Sequence, residues 1–146
     1  MLTCFDVANY FLMKGEDAGD LISNLKLQKL AYYAQGFSLA LLGKPLFGEQ
    51  VEAWMHGPVV PELYHKYKEQ GNQGLVASES VDLGKFSADE QELLDEVFKV
   101  YGQFSAWKLR NMSHEELPWQ STYVEGESSK AIPHEVMNDF FKTLIH

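Results

Sequence analysis

The segment over residues 24–42 constrains the fold more than any other part of the chain. Its apolar side chains recur at spacings of three and four residues, which is typical of a helix that buries one face. They are Leu27, Leu30, Ala31, Ala34, Phe37 and Leu41. Tyr32, Tyr33 and Leu39 place further apolar groups on the other faces. A helix that is apolar on most sides is buried, so the sequence predicts a central helix over about 24–42.

The small and polar residues of this helix carry expectations of their own. Gln28 and Gln35 lie among apolar neighbours, so we expect them to be at least half buried and hydrogen-bonded. Gly36 and Ala40 are one turn apart and leave a shallow groove on the helix surface. We therefore expect another helix to pack closely at that point.

The remaining patterns predict a mainly α-helical fold that forms one compact domain over residues 1–146. Helices are expected over about 3–14, ending at Gly15, and over 61–69; later ones open at Ser87, Ser105 and Pro133. Four residue pairs or stretches carry more local predictions. Capping boxes are expected at Thr3/Asp6, Ser87/Glu90 and Ser113/Glu116, and one small β-hairpin fits the turn-rich stretch 71–84.

Charge narrows the classes of partner. The chain has 12 Lys and Arg against 21 Asp and Glu, a net charge of -9. Residues 76–146 hold 13 of the acids but only 6 of the basic residues. Domains that bind nucleic acid are usually basic, so we expect no nucleic-acid partner and favour a basic protein. The longest aliphatic run, Leu39 to Leu42, is far too short to span a membrane, and a lone Cys4 without a signal peptide predicts a cytoplasmic protein.

Catalytic and metal-binding motifs are incomplete. His114-Glu115-Glu116 begins like a zinc-protease helix, but Pro118 stands where the second histidine would be. Gly43-Lys44 lacks the hydroxyl residue and the preceding glycine of a phosphate-binding loop. We therefore predict no metal, no cofactor and no enzyme activity. A small hydrolase that uses His114 with Glu115 or Glu116 remains the alternative.

Three segments together resemble a known family. They are residues 24–36 (NLKLQKLAYYAQG), 52–68 (EAWMHGPVVPELYHKYK) and 112–119 (MSHEELPW). In order and spacing they resemble the Panacea domain of SocA-like antitoxins, a family that also includes GepA-type phage-associated proteins.

The resemblance implies a mainly helical, non-enzymatic antitoxin that binds and neutralises a cognate protein toxin. Members of the SocA type resemble adaptors that deliver the toxin to a ClpXP-like protease. Such genes often lie in prophages beside a toxin gene, and a phage-associated regulatory protein is a further alternative.

The resemblance also implies which residues matter. Those that match the motif and are best explained by packing or turn geometry are Leu27, Gln28, Leu30, Tyr33, Gln35, Gly36, Gly57 and Pro58. Those predicted to form a partner-binding surface are Trp54, His56, Tyr64, His114 and Trp119. We expect the acidic C-terminal half to steer a basic toxin toward this surface.

Overall fold

The computed structural model describes residues 1–127 and 130–145, and it confirms a mainly α-helical fold. The helices in chain order are α1 (Cys4–Asp17), α2 (Asn24–Phe37), α3 (Pro61–Tyr67), α4 (Ala88–Tyr101), α5 (Ala106–His114), α6 (Leu117–Gln120) and α7 (His134–Lys142). Two short strands, β1 (Glu52–Trp54) and β2 (Gly57–Val59), pair antiparallel. Within the described residues, no helix is both long and apolar enough to cross a membrane.

Helix α2 is the central element, as its apolar pattern predicts. Every residue from Leu27 to Gly36 is buried, and α2 contacts α1, α3, α4, α5, α7 and β2. The predicted extent to residue 42 is also confirmed, but the last turn, Ser38–Leu42, has the wider π-helical hydrogen bonding. The chain then turns at Gly43, whose φ of +69° favours glycine.

Most helix starts follow from local capping. Thr3 with Asp6 and Ser87 with Glu90 form complete capping boxes, and the Ser105 side chain accepts a hydrogen bond from the backbone of α5. The predicted end of the first helix at Gly15 is wrong, because α1 continues to Asp17. A Cβ at Gly15 would lie 3.0 Å from the Asp20 carbonyl oxygen, so the glycine permits a close return of the chain.

The predicted hairpin in 71–84 is also misplaced. The hairpin is β1–β2, with Glu52 opposite Val59 and Trp54 opposite Gly57. Within 71–84, Leu75 instead donates its backbone N–H to the Ile22 carbonyl at 2.8 Å and ties that loop to the start of α2. The hairpin strands have only three residues each, which is too short for a visible alternation of apolar and polar residues.

The polar and small residues of α2 connect it to its neighbours. The fully buried Gln35 amide donates to the Phe47 carbonyl at 2.9 Å and accepts from the Leu46 N–H at 2.8 Å. Buried Gln28 accepts from the Val60 N–H at 2.8 Å. The expectation of buried, hydrogen-bonded amides is therefore confirmed, and each amide ties α2 to the backbone of a neighbouring segment.

Gly36 provides the predicted groove. A Cβ built at Gly36 would lie only 2.1 Å from the ring of Phe141, so the aromatic ring of α7 rests directly on the α2 backbone. The Phe141 ring also meets Tyr32 and Phe37 edge to face, with centroids 5.4 and 4.9 Å apart. This close approach holds α7 against the central helix.

Candidate functional site

The five residues predicted to bind a partner come from four elements and converge on the hairpin. Trp54 ends β1, His56 lies in the turn, Tyr64 is on α3, His114 ends α5 and Trp119 is on α6. The Trp54 and Tyr64 rings meet edge to face at 5.0 Å. The Trp119 indole donates to the Trp54 carbonyl at 2.7 Å, and the His114 ring stacks on Trp119 at 4.2 Å. The structure thus brings together residues that are far apart in sequence.

Three residues outside the predicted set, Met55, Trp107 and Arg110, extend this group. Arg110 on α5 donates from Nε to His56 Nδ1 at 3.3 Å, and its guanidinium lies 4.4 Å from the Trp107 ring centroid. The Trp107 side chain is 59% exposed and that of Met55, at the hairpin turn, is 61% exposed. We call the whole group the hairpin surface; it consists of Trp54, Met55, His56, Tyr64, Trp107, Arg110, His114 and Trp119.

A cavity of about 350 Å³ opens beside the hairpin. Its walls include Trp54, Met55 and Tyr64, while the buried amides of Asn24 and Gln28 also line it. Three of the five predicted residues, Trp54, His56 and Tyr64, therefore line one cavity. Trp119 contacts this group through the Trp54 carbonyl, and His114 contacts it through the Trp119 ring. The volume lies at the small end of the range for ligand pockets.

Lys29 lies fully buried under the hairpin. Its ammonium donates to the Pro58 carbonyl at 3.1 Å. Burial lowers the pKa of Lys29 to about 7, and the positive charge of Arg110 acts in the same direction. A Cβ at Gly57 would lie 2.9 Å from both the Lys29 stem and the Ser113 hydroxyl, and Gly57 has a φ of +108°. Glycine at position 57 therefore permits both the positive φ of the turn and the close packing of β2 against the Lys29 side chain.

The sequence contains a signal for the burial of Lys29. A helix that is apolar on most sides leaves no solvent face for a lysine in its middle, and Lys29 lies one turn before Tyr32 and Tyr33. The pattern alone does not indicate the acceptor, because Pro58 comes 29 residues later.

Glu116 occupies a different place from the one predicted. The expected Ser113/Glu116 capping box is wrong, because Ser113 lies inside α5 and its hydroxyl donates to the Arg110 carbonyl at 2.9 Å. The Glu116 carboxylate instead accepts from the hydroxyls of Tyr32 and Tyr33, both at 2.9 Å. Burial raises the pKa of Glu116 to about 7, although the two tyrosine hydrogen bonds act in the opposite direction.

The arrangement of His114 differs from that of an acid–base pair. Its ring stacks on Trp119, and in the described part of the chain its buried Nε2 has no hydrogen-bond partner. Burial lowers the pKa of His114, and the charges of Arg110 and Lys29 lower it further. Since the Glu116 carboxylate is held by two tyrosines, His114 is not paired with it as a general base would be.

The single cysteine fits a structural role. Cys4 is fully buried at the start of α1, and burial together with the nearby Glu49 carboxylate raises the pKa of its thiol. A thiol in such a setting is a poor nucleophile.

Fold and surface together define a mainly helical domain with aromatic and cationic groups gathered over its buried central helix. The chain belongs to the family described as "Antitoxin SocA-like, Panacea domain", whose family model matches residues 27–120, more than half of the sequence. It is 33% identical over 119 residues to Antitoxin SocA of Caulobacter vibrioides (strain NA1000 / CB15N), an alignment covering 74% of this chain and 63% of that protein. The chain thus spans less than two thirds of that relative's length. No solved structure matches it significantly.

The matched range contains the whole hairpin surface together with Lys29 and Glu116. The predicted family membership is confirmed. Helices α1 and α7 lie outside the matched range, although Phe141 of α7 packs directly on Gly36 within it.

Proposed function

We propose that this protein is an antitoxin that neutralises a cognate protein toxin by direct binding at the hairpin surface. The observation that carries the proposal is the clustering of exposed and half-buried aromatic groups within the range that matches the antitoxin family. The proposed role is non-enzymatic, and the hydrogen bonds that the Glu116 carboxylate accepts from Tyr32 and Tyr33 support it over an acid–base pair of His114 with Glu116.

The chemistry of the hairpin surface suits protein binding. Tryptophan, tyrosine and arginine are the residues most enriched among those that dominate binding energy. Trp107 and Met55 are mostly exposed in the free protein, and fully burying a large apolar side chain contributes about 1.5–3 kcal/mol. The Trp119 indole is already held by its hydrogen bond to the Trp54 backbone carbonyl, and the Trp54 indole by its hydrogen bond to the Glu52 carboxylate, so little side-chain freedom is lost on binding.

The net charge of -9 favours a toxin with net positive charge. Exposed carboxylates along α4, such as Glu92 and Glu96, supply part of the attractive field. In the adaptor form of the proposal, a toxin bound at the hairpin surface is presented to a ClpXP-like protease in the cytoplasm. A prophage or other mobile element with a neighbouring toxin gene is the expected genetic setting.

Co-expression with the neighbouring toxin-like gene tests the proposal. The intact protein should restore growth and co-purify with the toxin. The paired changes Met55→Ser and Trp107→Ser should abolish both effects, since they remove exposed apolar area and leave the core untouched. The matched control is Val76→Ser with Leu41→Ser, which removes apolar groups that are 57% and 55% exposed elsewhere on the protein.

Equal thermal stability of all the variants would show that binding alone was changed. Toxicity that persists with the intact protein, and no co-purified complex, would contradict the proposal. Measuring the half-life of the toxin with and without the protease separates delivery for degradation from inhibition by binding alone.

A further inference from the structure

Arg110 is the only arginine in the sequence, and its surroundings leave its charge available. It is half-buried; the Trp107 ring covers one face of the guanidinium, and the group donates to His56 Nδ1 and Asn111 Oδ1. A guanidinium has five N–H donors, so these two bonds do not saturate it. Among the described residues, no carboxylate lies within ion-pair distance of Arg110.

Arg110 lies close enough to Lys29 and His114 for its charge to act on both, in a protein whose net charge is -9. The charges that act on buried Lys29 and on His114 are those of Arg110, His56 and Lys29 itself. The carboxylate on the hairpin, Glu52, accepts a hydrogen bond from the Trp54 indole at 2.9 Å. Within the hairpin surface, Arg110 is therefore a positive charge with no ion-pair partner among the described residues, in a chain whose net charge is -9.

The cavity beside the hairpin adjoins this charge. His56 both lines the cavity and contacts Arg110, so the apolar space and the guanidinium are neighbouring subsites. Trp54, Met55 and Tyr64 supply apolar walls, and Lys68 adds a second exposed positive charge to the lining. One short peptide segment can reach both subsites.

We propose that the hairpin surface recognises an acidic segment of a protein partner, with an apolar side chain in the cavity and an adjacent carboxylate on the Arg110 guanidinium. Planar guanidinium and carboxylate groups form two parallel hydrogen bonds, and the stacking on Trp107 holds the guanidinium plane in place. A nucleic acid is disfavoured because a net charge of -9 repels a phosphate backbone.

The inference rests on the proposed function only in taking the toxin as the protein that supplies the acidic segment. A toxin with net positive charge approaches under the long-range field, whereas the segment that docks at the hairpin is acidic. These two requirements act at different distances and are compatible.

The test is a titration of the ¹⁵N-labelled full chain with a capped peptide in which Leu-Phe is flanked by glutamates. The backbone signals of Trp54, Trp107 and Tyr64 and the indole signals of the two tryptophans should shift. The same peptide with lysines in place of glutamates should not shift them. Arg110→Gln should weaken binding of the glutamate peptide by about tenfold or more, as expected for a charged hydrogen-bonded pair. Lys142→Gln, which removes an exposed charge on α7, is the matched control and should leave binding unchanged.

Two results would overturn the inference. One is binding of the glutamate peptide that is equal in the wild type and in Arg110→Gln. The other is tighter, Arg110-dependent binding of an oligothymidine, which would assign the surface to nucleic acid.

The two proposals fail separately. Peptide binding without toxin neutralisation removes the proposed function and keeps the inference. Toxin neutralisation that is insensitive to Arg110→Gln, with no peptide binding, removes the inference and keeps the proposed function.

Discussion

Lys29 of α2 is fully buried, and Glu116 is half-buried against Tyr32 and Tyr33 of the same helix. Each side chain has a specific polar contact: the Lys29 ammonium with the Pro58 carbonyl, and the Glu116 carboxylate with two tyrosine hydroxyls. Burial moves both pKa values to about 7, downward for the lysine and upward for the glutamate. Each group therefore changes its charge near neutral pH, where surface lysines and glutamates do not titrate.

These shifts predict a pH dependence of the free energy of unfolding. The folded protein keeps the Glu116 proton up to a pKa of about 7 against an ordinary value of 4.5, so this group's contribution to stability falls as the pH rises through that range. The folded protein loses the Lys29 proton at about 7 against 10.5, so this group's contribution rises with pH above neutrality. Each slope is at most about 1.4 kcal/mol per pH unit.

Urea unfolding of the wild type, Glu116→Gln and Lys29→Met between pH 5 and 9 measures both contributions. The difference between the wild type and Glu116→Gln should change mainly below pH 7, and the difference for Lys29→Met mainly above it. Differences that stay constant across the range would mean that both groups titrate at ordinary values.

At the level of secondary-structure elements, helix starts could be predicted because they depend on neighbours in sequence. The capping boxes at Thr3 and Ser87 involve side chains three residues apart, and both form as predicted. The Ser113/Glu116 pair has the same spacing, but Tyr32 and Tyr33, 84 and 83 residues away, bind the Glu116 carboxylate. A local pattern cannot reveal a distant competitor of this kind.

In the candidate site, too, features that depend on sequence patterns could be predicted, and features that depend on distant contacts could not. Trp54, His56, Tyr64, His114 and Trp119 were predicted through the family resemblance, whereas Trp107, Arg110 and Lys29 were not in the predicted set. The importance of Arg110 and Lys29 depends on His56, Trp107 and Pro58, contacts that only the folded chain creates. One small hairpin was predicted, but its position was wrong because the pairing of β1 with β2 is supported by packing over α2 and by the bond from the Ala53 N–H to the Lys130 carbonyl.

The contact between α2 and α7 yields a prediction at the same scale. Gly36→Ala should destabilise the protein by about 1–3 kcal/mol, because the new methyl group overlaps the Phe141 ring and a packed core accommodates added volume poorly. Chemical unfolding measures the change. Gly48→Ala is the control, since the nearest atom to its added Cβ, the Met1 sulfur, is 3.7 Å away.

A double variant distinguishes this overlap from a general effect of alanine on α2. Gly36→Ala combined with Phe141→Leu should cost less than the sum of the two single changes, because the smaller side chain makes room for the methyl group. Strict additivity would show that the two residues do not interact.

At the scale of the whole molecule, negative charges on α4 and the positive charge of Arg110 lie in different regions. The net charge is -9, and α4 exposes Asp89, Glu92 and Glu96, whereas the hairpin surface carries Arg110. Under the two proposals above, long-range attraction and short-range recognition belong to different regions of one protein. A partner that satisfies both needs an overall positive charge and a locally acidic docking segment.

The long-range part predicts a salt effect on association with the toxin. The association rate constant should fall markedly between low and physiological ionic strength, since screening shortens the range of the field to about 8 Å at 0.15 M. Stopped-flow measurements that follow tryptophan fluorescence would detect it. A rate that does not change with salt would leave the acidic charge as a contributor to solubility only.

The hydrogen bond from the Trp119 indole to the Trp54 carbonyl joins residues 65 positions apart. During synthesis on the ribosome, the hairpin emerges before α5 and α6. The hairpin surface is complete only after those two helices have been made. A nascent or truncated chain that ends before Ala106 lacks four of the eight residues of the hairpin surface: Trp107, Arg110, His114 and Trp119. Under the proposed function, neutralisation would then begin only when translation has passed α6, so the timing of protection is set by the order of elements along the chain.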